Sequence, residues 1–319
     1  MKYVKKKTKG ELLRGILFWF FLLVFIGSAS YLLYELVIVP YQNHKSTSKF
    51  QDAYGTAASN AASQQPKPDT GGELQVLDKF KPLLEMNGDV AGWLTVPNTS
   101  LNHPVFYKPD GNNYYLKRDA EQNYNKLGSL YIADYCKTEP NPSQVLVIHG
   151  HNMEDSDEMF GQLMKFKKAD FLQENPVFTF DTLYREAKWK IIGVCRVSAY
   201  ESHGDDFHYN ATEYGDQASF DEFIYKMRVR SLYHIQDDVS YEDQLLIFST
   251  CDYAFYGDRF IVVARRLRED ETEESVRAQY IMEVNDAVLY PNLYYDTYQA
   301  ERPTEEQIAS SYASFYTAE

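Results

Sequence analysis

The sequence predicts a mainly β protein, a barrel of about eight strands with inserted helices, that follows an N-terminal membrane-spanning helix. From Asp89 onward, short apolar runs alternate with turn residues, and each run has the length of a strand. Ahead of them, an uncharged apolar run from Gly15 to Tyr34 would span about 30 Å as a helix, which is the thickness of a bilayer core. These two observations set the expected fold class.

The N-terminal segment is predicted to anchor the chain in a membrane. Residues 1–14 carry six basic side chains and one acidic one, and such a flank stays in the cytoplasm, so everything after Pro40 is expected outside the cell. The expected anchor is residues 15–39. A cleaved signal peptide is the alternative, because small residues at 28–30 follow a shorter apolar core. The apolar sequence that continues through Val39 favours the anchor.

A flexible linker and then a folded domain are expected after the anchor. Residues 40–72 are rich in Ser, Ala, Gln and Gly and have no sustained apolar period, which predicts the linker. The domain is expected over residues 73–267. Apolar residues at helical spacing predict a short helix from Glu73 to Met86, before the Asn-Gly stop at 87–88.

The strands of this domain are predicted from apolar runs that end at turn residues. They are Val90–Val96, Pro104–Tyr107, Gly128–Ala133, Val145–His149, Val177–Phe180, Trp189–Ser198, Leu245–Phe248 and Phe260–Ala264. Two segments with apolar residues along one face, Asp157–Phe171 and Asp216–Tyr233, predict inserted helices.

The last segment, residues 268–319, is predicted to be an acidic, partly helical extension. Val276, Tyr280, Val284 and Val288 recur every four residues, which predicts a helix packed on the domain. The tyrosine- and glutamate-rich sequence from Pro291 onward has weak periodicity and is expected to be mobile.

Charge and cysteine content exclude several classes of function. The net charge is −14, and because the first 14 residues contribute +5, the rest carries about −19. Phosphate backbones would repel such a body, so no nucleic-acid partner is expected. Three cysteines are too few, and odd in number, for a disulfide framework in a chain outside the cell. Cys195 lies in an apolar run and is expected in the core, whereas Cys136 lies in a polar turn.

Cys251 and Arg259 carry the strongest chemical signal. A buried strand ends in Ser249-Thr250-Cys251, and a polar turn then leads to Arg259 at the start of the next strand. A thiol and a guanidinium at these two strand ends can face one cleft, which suits a cysteine nucleophile with a cationic partner. Asp252 is interpreted as a solvated turn residue.

His149 and His151 are the candidate bases. They flank Gly150 at the end of a predicted strand, in VLVIHGHNM, where an imidazole would be exposed at the mouth of a loop. A His-x-His pair can also bind a metal ion, but no third ligand is close in sequence, so no metal site is predicted.

These residues together resemble the sortase family of Gram-positive cell-surface transpeptidases. The matching features are GHNM followed by MFG, and STC with an arginine eight residues after the cysteine. The long helix before the last strand pair, the N-terminal helix before DVAGWLTVPNT, and the run DGNNYYLKRD…KLGSLYIADY resemble class B in particular. The resemblance covers residues 73–267 and implies a closed β-barrel.

The resemblance also implies roles for individual residues. By position, Cys251 matches the family's nucleophile, His151 its general acid and base, and Arg259 the group that clamps the oxyanion or the substrate. Positions that match the substrate groove of class B, and are expected to bind substrate, are Ser249, Asn112, Leu116 and His149. At the last of these, class B enzymes often have a tyrosine.

The implied reaction is transpeptidation without a cofactor. The cysteine attacks the threonine carbonyl of a C-terminal sorting signal on a surface protein, and an amine resolves the resulting thioester. The amine belongs either to a peptidoglycan precursor or to a pilin lysine, and the sequence does not decide between them. The expected enzyme is a single-pass protein of the cell membrane, with its catalytic domain outside the cell.

Two other functions remain as alternatives. A surface cysteine protease or amidase would use the same thiol and histidine but resolve the acyl-enzyme with water. An inactive surface binding module would need none of the three catalytic side chains, whose joint presence argues against it. A cysteine-based phosphatase is disfavoured. Five residues separate its Cys from its Arg within one loop, whereas seven residues separate Cys251 from Arg259.

Overall fold

The computed structural model describes residues 8–62, 74–153, 159–204 and 207–317. Eight strands within these ranges form a closed barrel, as the sequence predicted. In chain order the strands of the protein are β1 Val90–Thr95, β2 Asn102–Phe106, β3 Leu130–Ile132, β4 Val145–His149, β5 Val177–Thr182, β6 Lys188–Ser198, β7 Tyr233–Ile235, β8 Leu245–Cys251, β9 Asp258–Arg266 and β10 Met282–Val284.

The barrel closes in the order β1-β2-β3-β4-β8-β9-β6-β5, and β5 pairs with β1. Two neighbouring pairs are parallel, β2 with β3 and β4 with β8, and the others are antiparallel. The parallel pair β4–β8 joins strands about 100 residues apart in sequence, so it brings two distant segments to the same end of the barrel. β7 and β10 form a separate two-stranded sheet.

Helices lie at the N-terminus, between the strands and in the C-terminal extension. They are α1 Lys9–Leu33, α2 Val39–Ala62, α3 Lys81–Met86, α4 Ala169–Glu174, α5 Gln217–Arg230, α6 Glu273–Ala278, α7 Asn292–Tyr298 and α8 Glu305–Tyr316. Both predicted inserted helices are present. The first is mainly a 3₁₀ helix, Phe160–Lys167, followed by α4, and the second is α5 with Asp216 as its N-cap.

The segment after the candidate membrane-spanning helix differs from the prediction of a flexible linker. Residues 39–62 form α2, which continues α1 through a π-helical turn, Tyr34–Ile38. A proline has no N–H and its ring clashes with the carbonyl four residues earlier, so the wider turn ahead of Pro40 lets the helix continue. The remainder of the predicted linker, residues 63–72, lies outside the described residues.

Tertiary packing explains why α2 is helical despite its weak apolar pattern. Phe50 is fully buried in a cluster on the outside of the barrel, where its ring meets Phe106 edge-on at 5.9 Å. One turn further on, Tyr54 stacks on Trp93 with the ring centroids 4.1 Å apart. Burial of two aromatic rings offsets the entropy cost of ordering a segment that is rich in small polar residues.

The C-terminal extension also differs from the prediction. The helix expected along Val276–Val288 ends at Ala278, and Met282–Val284 is instead the strand β10, paired with β7. The sequence after Pro291, which was expected to be mobile, forms α7 and α8. Each of the helices α6 and α8 begins with a threonine capping box, a local signal that stabilises short helices.

Replacing Phe50 with alanine tests whether α2 is part of the folded domain. Loss of a fully buried phenylalanine ring should lower the free energy of unfolding by about 3 kcal/mol. Urea denaturation of the detergent-solubilised full chain, followed by tryptophan fluorescence, measures this change. Asp52→Ala on the exposed side of the same helix is the matched control, and equal stability of the two variants would contradict the packing.

Candidate active site

Four neighbouring strands bring the predicted site residues into one row on the outer face of the barrel. Tyr131 of β3 pairs with His149 of β4, and His149 pairs with Ser249 of β8. Two residues further along β8, Cys251 pairs with Arg259 of β9. Directly paired residues share a face, as do alternate residues of one strand. Tyr131 packs in the cluster beneath α2, so this face is the outer one.

Cys251 is the only one of the three cysteines that is not fully buried. Burial raises the pKa of Cys136 to about 11, and Cys195 is also buried. The thiolate is the reactive form of cysteine, so the two buried thiols are unsuited to nucleophilic attack. Cys136 lies in the turn where it was expected, and its side chain is buried in the core.

Gly150 directly follows β4 and packs so closely on the barrel that there is no space for a side chain. A β-carbon at this position would lie 2.5 Å from the side chain of Leu130 and 2.8 Å from the ring of Phe160. Any other residue would therefore push the following His151 away from the barrel. This close approach is the physical reason for the glycine between the two histidines.

Two hydrogen bonds fasten the His151 loop to the end of β8. The hydroxyl of Thr250 donates to the carbonyl of Gly150 at 2.7 Å, and the amide of Asn152 donates to the carbonyl of Cys251 at 2.8 Å. These bonds lie on either side of His151. Together with the register of β4 and β8, which pairs residues 100 positions apart, they hold His151 beside Cys251.

The imidazole of His151 makes a hydrogen bond that sets its tautomer. Its Nε2 lies 2.8 Å from the carbonyl oxygen of Leu116. A carbonyl only accepts, so Nε2 carries a proton and Nδ1 is the nitrogen that can take up or release one. Burial lowers the pKa of His151, the bond to Leu116 opposes this, and the charge of Lys117 adds to the lowering. The neutral form is therefore favoured.

His149 has a different environment and is not equivalent to His151. Its ring lies 5.5 Å from that of Tyr131, and its Nε2 is 3.5 Å from the hydroxyl of Tyr135. Burial, with a contribution from the charge of Arg259, lowers the pKa of His149 to about 4. A neutral imidazole among tyrosines suits a pocket wall. Within the described ranges, no three His, Cys, Asp or Glu side chains are grouped to hold a metal ion.

Arg259 is held by its own neighbour and faces the row. Its Nη1 donates to the carbonyl of Asp258 at 2.9 Å. Its charge opposes the increase that burial causes in the pKa of Tyr131, and Cys251 also influences this phenol, so the three groups are close enough to interact. A guanidinium, a thiol and a phenol thus lie near one another on the barrel wall.

Asp252 corrects one interpretation made from the sequence. It was expected to be a solvated turn residue, but its side chain is 1% exposed. Arg196 binds its carboxylate at 2.6 Å, and Lys167 pairs with the other oxygen. The buried carboxylate therefore belongs to a charged cluster beneath the turn that links β8 to β9.

The predicted substrate-binding residues have separate positions. Ser249 lies in the row and is buried, and its hydroxyl donates to that of Tyr209 at 3.3 Å. Leu116 is half-buried and contributes its carbonyl to His151. Asn112 is exposed, and its backbone N–H donates to the carboxylate of Asp134 at 2.9 Å. Its neighbour Asn113, rather than Asn112, reaches the row, by accepting a bond from the hydroxyl of Tyr131 at 2.9 Å.

Comparison with known proteins finds relatives of one family. The chain is 29% identical over 212 residues to sortase B of Listeria monocytogenes, covering 66% of this chain and 80% of that protein. It is 26% identical over 195 residues to sortase B of Staphylococcus aureus, covering 60% of this chain and 76% of that protein. No family model matches the chain.

Solved structures agree with the sequence matches. Sortase B from Bacillus anthracis, in complex with AAEK2, superposes with a TM-score of 0.60 at 25% identity, over 72% of this chain and 98% of that one. A Staphylococcus aureus sortase B–substrate complex has the same fold, with a TM-score of 0.62 at 21% identity, over 73% of this chain and 100% of that one. The chain is therefore similar to the class B sortases in sequence and in fold. These similarities support a sortase-type cysteine transpeptidase.

Sequence reasoning missed the tyrosines at this row. Tyr131, Tyr135 and Tyr209 influence one another electrostatically. Burial raises the pKa of Tyr131 and of Tyr135, which keeps both phenols protonated. Tyr131 and Tyr135 are four positions apart at the end of β3, but Tyr209 lies 74 positions after Tyr135, and only the fold brings it beside them.

The low pKa of His149 predicts a loss of stability in mild acid. Between pH 6.5, its ordinary pKa, and about 4, its pKa in the folded chain, the unfolded chain binds a proton that the folded chain excludes. The free energy of unfolding should therefore fall as the pH drops through this window, and the contribution should be constant below it. Urea denaturation at several pH values should show a smaller fall in His149→Asn, and an identical fall would contradict the assignment.

Proposed function

We propose that the chain is a membrane-anchored sortase that cleaves a C-terminal sorting signal after threonine and transfers the acyl group to an amine. The observation that carries this proposal is the pairing of Cys251 with Arg259 across two strands, next to the loop of His151. A nucleophile, a proton carrier and a fixed cation are the groups that acyl transfer through a thioester requires.

Cys251 is the nucleophile in this proposal. Its sulfur attacks the carbonyl carbon of the threonine, and the carbonyl oxygen takes up the negative charge. When the C–N bond breaks, a thioester forms on Cys251 and the downstream peptide leaves as an amine. The half-exposed position of Cys251 at a strand end supports this role, since a peptide carbonyl can reach the sulfur there.

His151 is the proton carrier. The neutral imidazole takes up the proton of the Cys251 thiol as the sulfur attacks, and gives it to the leaving nitrogen. It later takes a proton from the incoming amine and returns it to the sulfur when the thioester breaks. The hydrogen bond to Leu116 occupies Nε2 and supports Nδ1 as the nitrogen that exchanges the proton. Because the pKa of His151 is lowered, the imidazole gives up a proton readily once it has been charged.

Arg259 stabilises the oxyanion or clamps the substrate. A guanidinium carries a permanent positive charge and offers N–H donors in a fixed fork. The bond from Nη1 to the carbonyl of Asp258 restricts its rotation, which supports a preorganised donor. A cation here also neutralises negative charge that develops beside Cys251.

The sorting signal is proposed to lie along the row that leads from Tyr131 to Cys251. Tyrosines offer apolar ring faces to side chains of an extended peptide and hydroxyls to its backbone. Ser249 and the neutral ring of His149 complete this wall. A Staphylococcus aureus sortase B of the same fold has been described in complex with a substrate, which supports substrate binding by this fold.

The second substrate is proposed to be an amine on a peptidoglycan precursor or on a pilin lysine. Hydrolysis by water is the competing outcome and would make the protein a surface cysteine protease. The similarity to class B sortases favours transfer to an amine.

The N-terminal helix is proposed to hold the enzyme in the cell membrane. Within the described residues, one helix is long and apolar enough to cross a bilayer, with a mean hydropathy of 2.3 in its most apolar stretch. The basic residues before it support a cytoplasmic N-terminus. Resistance to carbonate extraction, with the catalytic domain cleaved by external protease, would support this topology, and release into the soluble fraction would refute it.

The contacts of α2 support a catalytic centre held at a fixed height above the bilayer. The buried Asn43 donates to the carbonyl of Gly128 at 2.8 Å, and Asn125 donates to the carbonyl of Val39 at 3.1 Å. Gly128 in turn packs tightly against the backbone of Leu116, the acceptor for His151. The membrane helix therefore enters the domain next to the proposed active site.

Incubation with sorting-motif peptides and an amine tests the reaction. Wild type should give the peptide–amine adduct by mass spectrometry. Cys251→Ala should lose at least about a thousandfold in rate because no thioester can form. Cys195→Ala, which alters a buried thiol, is the control and should keep its activity. Hydrolysed peptide without adduct would establish the protease instead, and an active Cys251→Ala variant would rule out this nucleophile.

Variants of the basic residues should separate catalysis from pocket lining. His151→Ala should lower kcat by at least about a hundredfold, because the leaving amine has no proton donor. His149→Ala should retain most activity. Arg259→Lys should lose about a hundredfold, since an ammonium cannot reproduce the guanidinium fork. The opposite ranking of the two histidine variants, measured under the same conditions, would exchange their roles.

A further inference from the structure

The C-terminal extension packs against the turn that separates the proposed nucleophile from its arginine. This turn, residues 252–257, is called the β8–β9 turn below. The hydroxyl of Tyr298 in α7 donates to the carbonyl of Ala254 at 3.1 Å. Tyr290, just ahead of α7, and Tyr294 within it cover the guanidinium of Arg196, with ring centroids 5.9 and 5.3 Å from its central carbon.

Arg196 connects these tyrosines to both ends of the β8–β9 turn. It lies in β6, next to β9, and its Nη2 is 2.6 Å from a carboxylate oxygen of Asp252. Its Nε lies 3.4 Å from a carboxylate oxygen of Asp258. Asp252 directly follows Cys251, and Asp258 directly precedes Arg259. One guanidinium therefore holds the two residues adjacent to the proposed catalytic pair.

The guanidinium of Arg196 compensates the negative charges of Asp252 and Asp258. Burial raises the pKa of Asp258 to about 7, and the negative charge of Asp252 adds to the increase, whereas Arg196 opposes it. Lys167 is the second cation at Asp252. Without Arg196 the two acidic side chains would repel each other across the turn, and the ends of β8 and β9 would separate.

The β8–β9 turn has little regular structure of its own. Tyr253 has a φ of +61° and Gly257 a φ of +81°, both in the left-handed region. A β-carbon at Gly257 would lie 2.4 Å from the ring of Tyr200, which stacks on Tyr256. A turn with an unfavourable backbone conformation at a non-glycine residue depends on its surroundings to keep its shape.

We propose that Tyr290, Tyr294 and Tyr298 form a tyrosine brace that positions Cys251 and Arg259 through Arg196 and the β8–β9 turn. The brace stacks on the cation that neutralises Asp252 and Asp258, and its third member binds the backbone of the turn. These are positioning residues, because they touch neither the reacting atoms nor the row from Tyr131 to Cys251 along which the peptide is proposed to bind. This inference rests on the proposed catalytic roles of Cys251 and Arg259.

The brace is tested by removing the aromatic faces at Tyr290 and Tyr294. The double variant Tyr290→Leu/Tyr294→Leu keeps apolar volume but loses the cation–π contacts with Arg196. It should lower kcat for peptide transfer about tenfold and leave KM within about twofold, because the reacting groups shift and the peptide wall does not. The double variant to phenylalanine keeps both rings and should restore kcat.

The matched control is a second tyrosine–arginine contact in the same extension. Tyr312 of α8 lies against Tyr225, and Arg228 donates to the hydroxyl of Tyr312 at 3.4 Å. Both partners lie in α5 and not in the β8–β9 turn. Tyr312→Leu should leave kcat and KM unchanged. If the double leucine variant does not fold, as judged by circular dichroism, Arg196→Lys decides the question, since it keeps the charge but loses the stacked plane and should lower kcat similarly.

Alkylation of Cys251 by iodoacetamide gives a readout that does not depend on sortase activity. Mass spectrometry locates the label, and the rate at pH 7 should fall severalfold in the double leucine variant, because a displaced β8–β9 turn moves the thiol relative to Arg259 and the His151 loop. Unchanged kcat and unchanged alkylation would overturn the brace. A wild type that is alkylated at Cys251 but transfers no peptide would count against the proposed function, and the alkylation rates would still decide the brace.

Discussion

The parallel pairing of β4 with β8 is the constraint on which the candidate site depends. It aligns two segments 100 positions apart, so the loop after one strand lies beside the last residue of the other. A shift by one residue would turn every side chain to the opposite face. His149 would then point into the barrel, and it would no longer share a face with Cys251. The bonds on either side of His151 reinforce this register at the point where the strand pairing ends.

Local sequence predicted most of the barrel because its strands are short apolar runs with clear turn residues at their ends. The three proposed catalytic residues were recognisable because each lies next to a strand end in a distinctive motif. The contact of Tyr209 with this row could not be predicted in this way, since only the fold brings it beside Ser249, 40 positions later in the chain. Asp252 was misinterpreted for the same reason, as its partner Arg196 lies on a strand 56 positions earlier.

The two ends of the chain show how tertiary contacts override weak local patterns. The helix α2 has a polar, alanine-rich sequence that reads as a linker, yet Phe50 and Tyr54 dock it on the barrel. The extension has weak periodicity because its tyrosines serve individual contacts rather than one apolar face. Both segments approach the candidate site, α2 near the acceptor of His151 and α7 at the β8–β9 turn. The barrel carries the proposed catalytic residues, and the two flanking segments contact the loops beside them.

The central claim is that Cys251 forms a covalent acyl-enzyme with the sorting signal. Intact-protein mass spectrometry after brief mixing with a sorting-motif peptide, without an amine, measures this directly. We expect a mass increase equal to the mass of the peptide fragment that ends in threonine. The adduct should be located on Cys251 after digestion, and hydroxylamine should remove it. Cleavage of the peptide with no adduct on Cys251 under these conditions, or an adduct on another residue, would contradict it.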